Sequence, residues 1–170
     1  SSSAASDVYK RQICHVRSYL DIQKMRYGDR LDYQIRIPEE LKKLYTVKLL
    51  IQPLAENSIY HGIKESDRKG TILITAGEEP GGVYLCVRDD GLGISQETLT
   101  ILNADLKRGV TVSDGGYGIF NVNERIRLYF GRDYGLELRS CTGEWTEAVI
   151  HLPKYIPERT EWDVSDFDRR

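Results

Sequence analysis

The stretch Ile51-Gln-Pro-Leu-Ala-Glu-Asn57-Ser-Ile-Tyr-His61-Gly62 decides how the rest of the chain is read. Val47, Leu50, Ile51, Leu54, Ala55, Ser58 and Ile59 recur at the i, i+3, i+4, i+7 spacing of a helix laid on a core. Asn57 sits on the flank of that stripe, so its amide points along the buried edge. An amide there costs free energy unless a partner answers it. A structural asparagine bonded to nearby backbone fits the helix taken alone; two glycine-bearing segments downstream shift that balance. The helix is expected from about Thr46, as N-cap, to His61, with Gly62 as its C-terminal stop. Pro53 inside it predicts a kink or break around Leu49 to Gln52.

A chain of 170 residues at 40% hydrophobic suffices for one well-buried domain and is short for two. A net charge of −2 supplies no basic field for nucleic acid. Cys14, Cys86 and Cys141 form no CxxC pair, and His15, His61 and His151 are scattered, which points to a reduced cytosolic setting without structural zinc. No apolar run approaches the roughly 18 residues of a membrane helix. The piece itself is expected to be soluble.

Residues 1–12 read as a disordered tail or a cloning remnant. Ile13 to Arg26 is an amphipathic helix ending near Gly28-Asp29. Leu31 to Ile37 alternates as a strand closed by Pro38, and Glu39 to Leu44 is a short helical turn. Thr71–Ala76 and Val83–Arg88 flank Glu-Glu-Pro-Gly-Gly, a hairpin signature. Ser95, with Glu97 and Thr98, starts a short helix through Leu102, and Asn103 to Gly116 reads as a mobile polar loop. Tyr117 to Phe130 is helical, with Ile119, Val122, Ile126, Leu128 and Tyr129 as its apolar positions and Gly131 as its stop. Leu136–Ser140 and Ala148–Leu152 are strands, and residues 154–170 form a charged tail. This order fits a two-layer α/β sandwich: a mixed, mostly antiparallel sheet with helices on one face.

Two segments carry chemistry. Asp89-Asp90-Gly91-Leu-Gly93 leaves a strand through two glycines that let backbone approach a flat ligand, and the Asp89 carboxylate is an acceptor suited to an exocyclic amine. An ordinary Asp-Gly turn produces the same letters. Gly115-Gly116-Tyr-Gly118-Ile-Phe-Asn121 opens a helix whose exposed N–H groups favour phosphate oxygens, and a flexible loop with a glycine N-cap fits equally. It is no Rossmann fingerprint, since the third glycine is missing and a polar loop precedes it.

Together, Asn57, Asp89-x-Gly91-x-Gly93 and Gly116-x-Gly118-x-x-Asn121 resemble the Bergerat nucleotide-binding (GHKL) fold of histidine kinases and the gyrase, chaperone and mismatch-repair ATPases. Arg26-Tyr-Gly-Asp-Arg-Leu31, Gln52 to Gly62, and Gly118 to Arg125 with Tyr129-Phe-Gly131 are similar to the YesM/LytS type of sensor histidine kinase. On that resemblance, residues 13–28 are the end of a dimerisation and phosphoacceptor helix region, and residues 29–153 are the ATP-binding catalytic domain.

The resemblance implies ATP and Mg²⁺ as cofactors, with Asn57 ligating the metal through its amide oxygen. His61 and Lys64 would sit near the phosphates, a structural role for His61 staying open. Asp89 would accept from adenine N6, Thr146 would assist through water, and Gly91 and Gly93 would shape the adenine side. Gly116 and Gly118 would close the loop Asp105 to Gly115 over the phosphates, with Asn121 nearby. Lys107 and Arg108 in that lid would neutralise phosphate charge or remain a solvated pair. Arg125 is left between ligand contact and an intradomain ion pair. Asp90 in place of Asn would weaken nucleotide binding slightly, and Trp145 before Thr146 would crowd the adenine edge. Pro53 stands where ATPase relatives carry a Glu base, which favours phosphoryl transfer over hydrolysis.

No Asn-Pro-His-Phe segment is present, and His15, followed by Val16, reads as structural. The expected activity is therefore transfer of the ATP γ-phosphoryl group to a histidine on a helical domain outside this fragment, in its own or a partner subunit. A response regulator would be served, the full-length protein would be a homodimer, and the fragment would be the cytoplasmic domain of a membrane-anchored parent. The alternatives are a related ATPase or protein serine kinase, and a degenerate module acting as a scaffold.

Overall fold

The computed structural model describes residues 16–38, 40–41, 50–110 and 118–154. Thr46, Val47, Gly115, Gly116 and the tail segments 1–12 and 155–170 lie outside the described residues. Residues 16–27 are helical (α1), followed by a tight turn at Gly28–Arg30, where Gly28 takes a left-handed φ of +59°. Strand β1, Leu31–Arg36, follows. Helix α2 covers Ile51–Asn57 and runs on as a π-type helix over Ser58–Lys64. Strands β2 (Gly70–Glu79) and β3 (Gly82–Asp89) meet in the expected hairpin, turning at Pro80-Gly81. Helices α3 (Gln96–Arg108) and α4 (Gly118–Phe130) precede the terminal hairpin of β4 (Gly135–Cys141) and β5 (Trp145–Pro153).

The five strands lie in the order β1-β2-β3-β5-β4. Among the described strands only β1 and β2 run parallel, which obliges the chain to cross over between them, and α2 with its π-type extension lies on that crossing. Alternate residues of each strand face the helices: Ile72 and Ile74, Leu85 and Val87, Ala148 and Ile150 are buried with Leu54, Ile63, Phe120 and Ile126 above them. The mixed two-layer sandwich is thus the observed architecture.

The described helix α2 begins at Ile51, within the break expected around Leu49 to Gln52, and Pro53 occupies its first turn, where an N–H has no intrahelical partner; Leu49 lies outside the described residues. Two local expectations are corrected. The α2 helix does not stop at Gly62; it passes through it in π form and ends at Lys64. The loop expected from Asn103 begins only after Arg108: Ser95 caps α3, its hydroxyl accepting from Thr98 N–H, and Gly109 closes the helix in the left-handed region at φ +72°. Leu128 and Tyr129 are exposed, at 75% and 47%, since α4 seats Ile119, Val122, Asn123 and Ile126 instead.

Strand β4 is an edge, and two asparagines close it. Asn103 on α3 accepts from Leu138 N–H at 2.9 Å and donates to its carbonyl at 2.8 Å. Asn123 on α4 accepts from Leu136 N–H at 2.9 Å and donates to the Leu106 carbonyl at 2.8 Å. Side-chain amides thus stand in for a further strand, which removes a template for edge-to-edge pairing. Asn123→Ala is expected to cost about 1–3 kcal/mol by leaving buried backbone groups unanswered, and Asn103→Ala about 1–2 kcal/mol. Urea midpoints should fall with little change in slope.

Candidate functional site

The C-terminal ends of β3 and α2 meet at a contact that only glycines permit. A Cβ on Gly62 would overlap the Asp89 carboxylate, and one on Gly91 would strike the backbone of Gly62 at its Cα and carbonyl. The π-type turn therefore lies directly against the strand end. Asp89 is 3% exposed beneath it. Its Oδ1 accepts from Gly91 N–H at 3.0 Å, and the Ser58 hydroxyl also donates to the carboxylate. Burial pushes the Asp89 carboxyl up to about 6; the two donors favour the charged form and offset only part of that cost.

Asn57, His61, Asp89, Gly93 and Thr146 line one cleft of about 330 Å³. Thr146 lies opposite Asp89 across the β3–β5 ladder. Leu92, Ile94, Leu102, Ile119 and Leu138 supply apolar wall, while Asn57, His61 and Glu65 make one end polar. The segment carrying Leu92 to Ser95 is stitched to the β4–β5 turn: Gly143 N–H donates to Leu92 carbonyl at 2.6 Å, Thr142 hydroxyl to Ile94 carbonyl at 3.0 Å, and Ile94 N–H to Ser140 Oγ at 2.8 Å. Arg68 adds a clamp, donating to the carbonyls of Gly91 (2.9 Å) and Gly143 (2.7 Å).

Other expected site residues stand elsewhere. Gly91 faces Gly62 and is absent from the cleft lining, so its missing Cβ admits the helix; at Gly93 a Cβ would meet the Cys141 carbonyl, although Gly93 does line the cleft. Lys107 and Arg108 occupy the last turn of α3 rather than a lid; Arg108 pairs with Asp105, and Lys107 borders a separate cleft beside Arg127. Gly118 packs near Pro53, and Asn121 is exposed outside the lining. Gly116 falls outside the described residues.

Two of the departures singled out in the sequence, Asp90 and Trp145, lie outside the cleft lining. Asp90 turns to the backbone of β2 and accepts from Thr71 N–H at 2.6 Å. Trp145 lies on the opposite sheet face, its ring under the Arg88 guanidinium at 4.4 Å, and Arg88 pairs with Glu147 at 2.8 Å. Ser58, Gly62, Glu65, Thr98 and Ser140 were not picked out as site residues. The one available signal was a hydroxyl, Ser58, on a core-facing helical position.

The cleft suits a flat base with an amine. A carboxylate offers about four acceptor positions, and two protein donors leave capacity on Asp89 for a ligand N–H at the foot of an apolar slot. The Asn57 amide supplies a hard oxygen at the polar end, and among the described residues no group of three His, Cys, Asp or Glu could cage a metal by itself.

The raised Asp89 carboxyl sets a pH dependence. The folded state holds that proton more tightly than the unfolded chain, so stability is greatest below about pH 4 for this group and falls as pH rises to about 6. Asp89→Asn is expected to stabilise the domain by about 1–3 kcal/mol at pH 7.5, a gain absent at pH 4 in urea unfolding.

A model of the histidine kinase-, DNA gyrase B- and HSP90-like ATPase family matches residues 45–156. The chain is 36% identical to the sensor histidine kinase YesM of Bacillus subtilis over 138 residues, 81% of this chain and 22% of YesM. It is 28% identical to the sensor protein LytS of Bacillus anthracis over 153 residues, 89% of this chain and 26% of LytS. It thus spans about a quarter of these relatives' length. The fold is similar to the catalytic domain of histidine kinase ThkA, with a TM-score of 0.63 at 16% identity, covering 85% of this chain and 91% of that one. ThkA in complex with response regulator protein TrrA gives a TM-score of 0.54 at 14% identity over 88% of this chain and 41% of that one. The chain belongs to the histidine kinase-, DNA gyrase B- and HSP90-like ATPase family, as an ATP-binding domain of the sensor histidine kinase type.

Proposed function

We propose that this domain binds ATP with Mg²⁺ in the Asn57–Asp89 cleft and donates the γ-phosphoryl group to a histidine on a helical domain outside the chain. The supporting observation is that Asn57 and Asp89, 32 residues apart in sequence, open onto one cleft that Thr146 also lines. Asp89 would read the adenine amine, Thr146 would assist through water, and the apolar walls would sandwich the ring. Asn57 would hold the metal, whose charge neutralises the phosphates, and His61 would stand beside them.

In the transfer the bond from the γ-phosphorus to the bridging oxygen breaks and a phosphorus–nitrogen bond to the acceptor imidazole forms. ADP departs with the electron pair, and the imidazole N–H proton is released. No carboxylate stands at position 53 to activate water, so hydrolysis lacks its base there. The complex of ThkA with response regulator protein TrrA supports a response regulator as the next recipient; the same reading extends to a homodimeric parent with a membrane anchor elsewhere in it. Among the described residues no helix is long and apolar enough to cross a membrane.

Calorimetric titration with an ATP analogue and Mg²⁺ should show binding that Asn57→Ala and Asp89→Ala each weaken at least tenfold, on the order of the 1.4 kcal/mol or more carried by a buried polar contact. Affinity should also fall below about pH 6, where Asp89 gains its proton. Binding unchanged in both variants sinks the assignment. Sustained ATP turnover by this domain alone favours an ATPase over a kinase, and no binding favours a scaffold.

A further inference from the structure

We propose that Arg68 is a positioning residue: it holds the apolar wall around Leu92 in its ligand-ready form and so raises nucleotide affinity without lining the cleft. The inference rests on the reading of this cleft as a nucleotide site. Arg68 lies in residues 65–69, the strap that leads from the π-type turn into β2, and is absent from the cleft lining. Among the described residues no carboxylate pairs with it. Its charge is directed at backbone instead, one nitrogen, Nη2, donating to the carbonyls of Gly91 at 2.9 Å and Gly143 at 2.7 Å. These bonds close a ring, because Gly143 N–H donates to the Leu92 carbonyl at 2.6 Å. The path runs from Nη2 to Gly91, along the chain to Leu92, across to Gly143 and back to Nη2. The residue enclosed is Leu92, which lines the cleft.

Leu92 is 43% exposed and stands between two glycines, Gly93 at a left-handed φ of +68°, so side-chain packing does little to fix it. Such a segment loses backbone freedom when a flat ring docks on it, and that loss weakens binding. Beyond Gly93 the wall is held at Ile94 by Thr142 and Ser140. Arg68 holds the other end, and an ionised donor makes the shorter and stronger kind of hydrogen bond. The strap is itself anchored. Ser66 is 5% exposed, its hydroxyl accepts from Arg68 N–H at 3.3 Å, and its carbonyl accepts from the Arg30 guanidinium in the turn after α1. Residues 26–31 do not line the cleft, so Arg30 supports the wall only by way of Ser66 and Arg68.

Two readouts test this. Titrate the unaltered chain, Arg68→Met and Arg68→Lys with Mg²⁺ plus an ATP analogue and, separately, with Mg²⁺ plus ADP. Arg68→Met is expected to weaken both ligands alike, about fivefold, since both carry the same base. Arg68→Lys, which also offers two N–H groups from one nitrogen, is expected to return affinity to within about twofold of the unaltered chain. NMR-detected hydrogen exchange on the unliganded chains reads the ring directly: in Arg68→Met the Gly143 amide should exchange about tenfold faster while the amides of β3 stay unchanged. Affinity unchanged in Arg68→Met, a loss confined to the triphosphate, a Gly143 amide that does not speed up, or equal acceleration throughout β3 overturns the inference and leaves the nucleotide site in place. An unaltered chain that binds neither ligand overturns the site and the inference together.

Discussion

The constraint on which the rest depends is a carboxylate buried under a helix. Asp89 ends β3 with 3% of its surface exposed, and the backbone of α2 and its π extension covers it. A charge in that position is stable only if the covering backbone comes close enough for donors to reach it, which is why Ser58 and the Gly91 N–H converge on it. Close approach in turn requires both partners at the crossing to lack a Cβ. Gly62 and Gly91 satisfy that requirement, and a methyl on either would drive strand and helix apart. The same crossing fixes where Asn57 sits relative to Asp89. The two poles of the cleft are therefore set by one packing contact.

Much of this was legible in the residues. The 3.6-residue stripe through Leu50, Ile51, Leu54, Ala55 and Ile59 is buried as its spacing requires, and the Pro80-Gly81 hairpin forms where the turn residues place it. What escaped was the meaning of glycines, because one residue type serves helix stops, ligand approach and backbone crossings alike. Gly62 read as a stop because a glycine after an apolar stripe usually ends it; here the contact with Asp89 outweighs the conformational cost of continuing. The same ambiguity made Gly91 look like a ligand-facing position. The end of α3 escaped for a different reason. Asn103 looks like a loop residue, yet its amide is occupied by the edge of β4, a long-range partner that no local pattern announces.

The two faces of the sheet explain why Trp145 stays out of the cleft lining, while the charge of Asp90 still acts on Asp89 and raises its carboxyl further. A strand sends neighbours to opposite sides, so Trp145 and Thr146 cannot both face the base. Thr146 lies opposite Asp89 on the helix side. Trp145 joins Arg88 and Glu147 on the other side, where Arg139 and Glu137 pair at 3.1 Å and His151 lies between Glu79 at 2.7 Å and Glu137 at 3.2 Å. These long side chains leave Cys86 only 7% exposed on that face, and burial pushes its thiol up to about 11. A thiol in that state is a small apolar filler rather than a nucleophile.

The helix that enters the domain is held by the same logic. Val16 and Leu20 of α1 belong to the core shared by α2 and the sheet, and Leu20 has no exposed surface. Its outer flank is tied to β1, the Tyr33 hydroxyl donating to Asp21 at 2.5 Å and Lys24 pairing with Asp32 at 2.8 Å. The surface pair contributes little, but exposing a leucine costs about 2 kcal/mol, and Val16 would be uncovered with it. Tyr19, on the same helix, has its phenol pushed up to about 12 by burial and by Glu56, the neighbour of Asn57. A hinge at Gly28, although its backbone could supply one, would therefore have to strip apolar surface from the core before α1 could swing. The shared core and the Tyr19–Glu56 interaction thus tie α1 to α2, the element that carries Asn57.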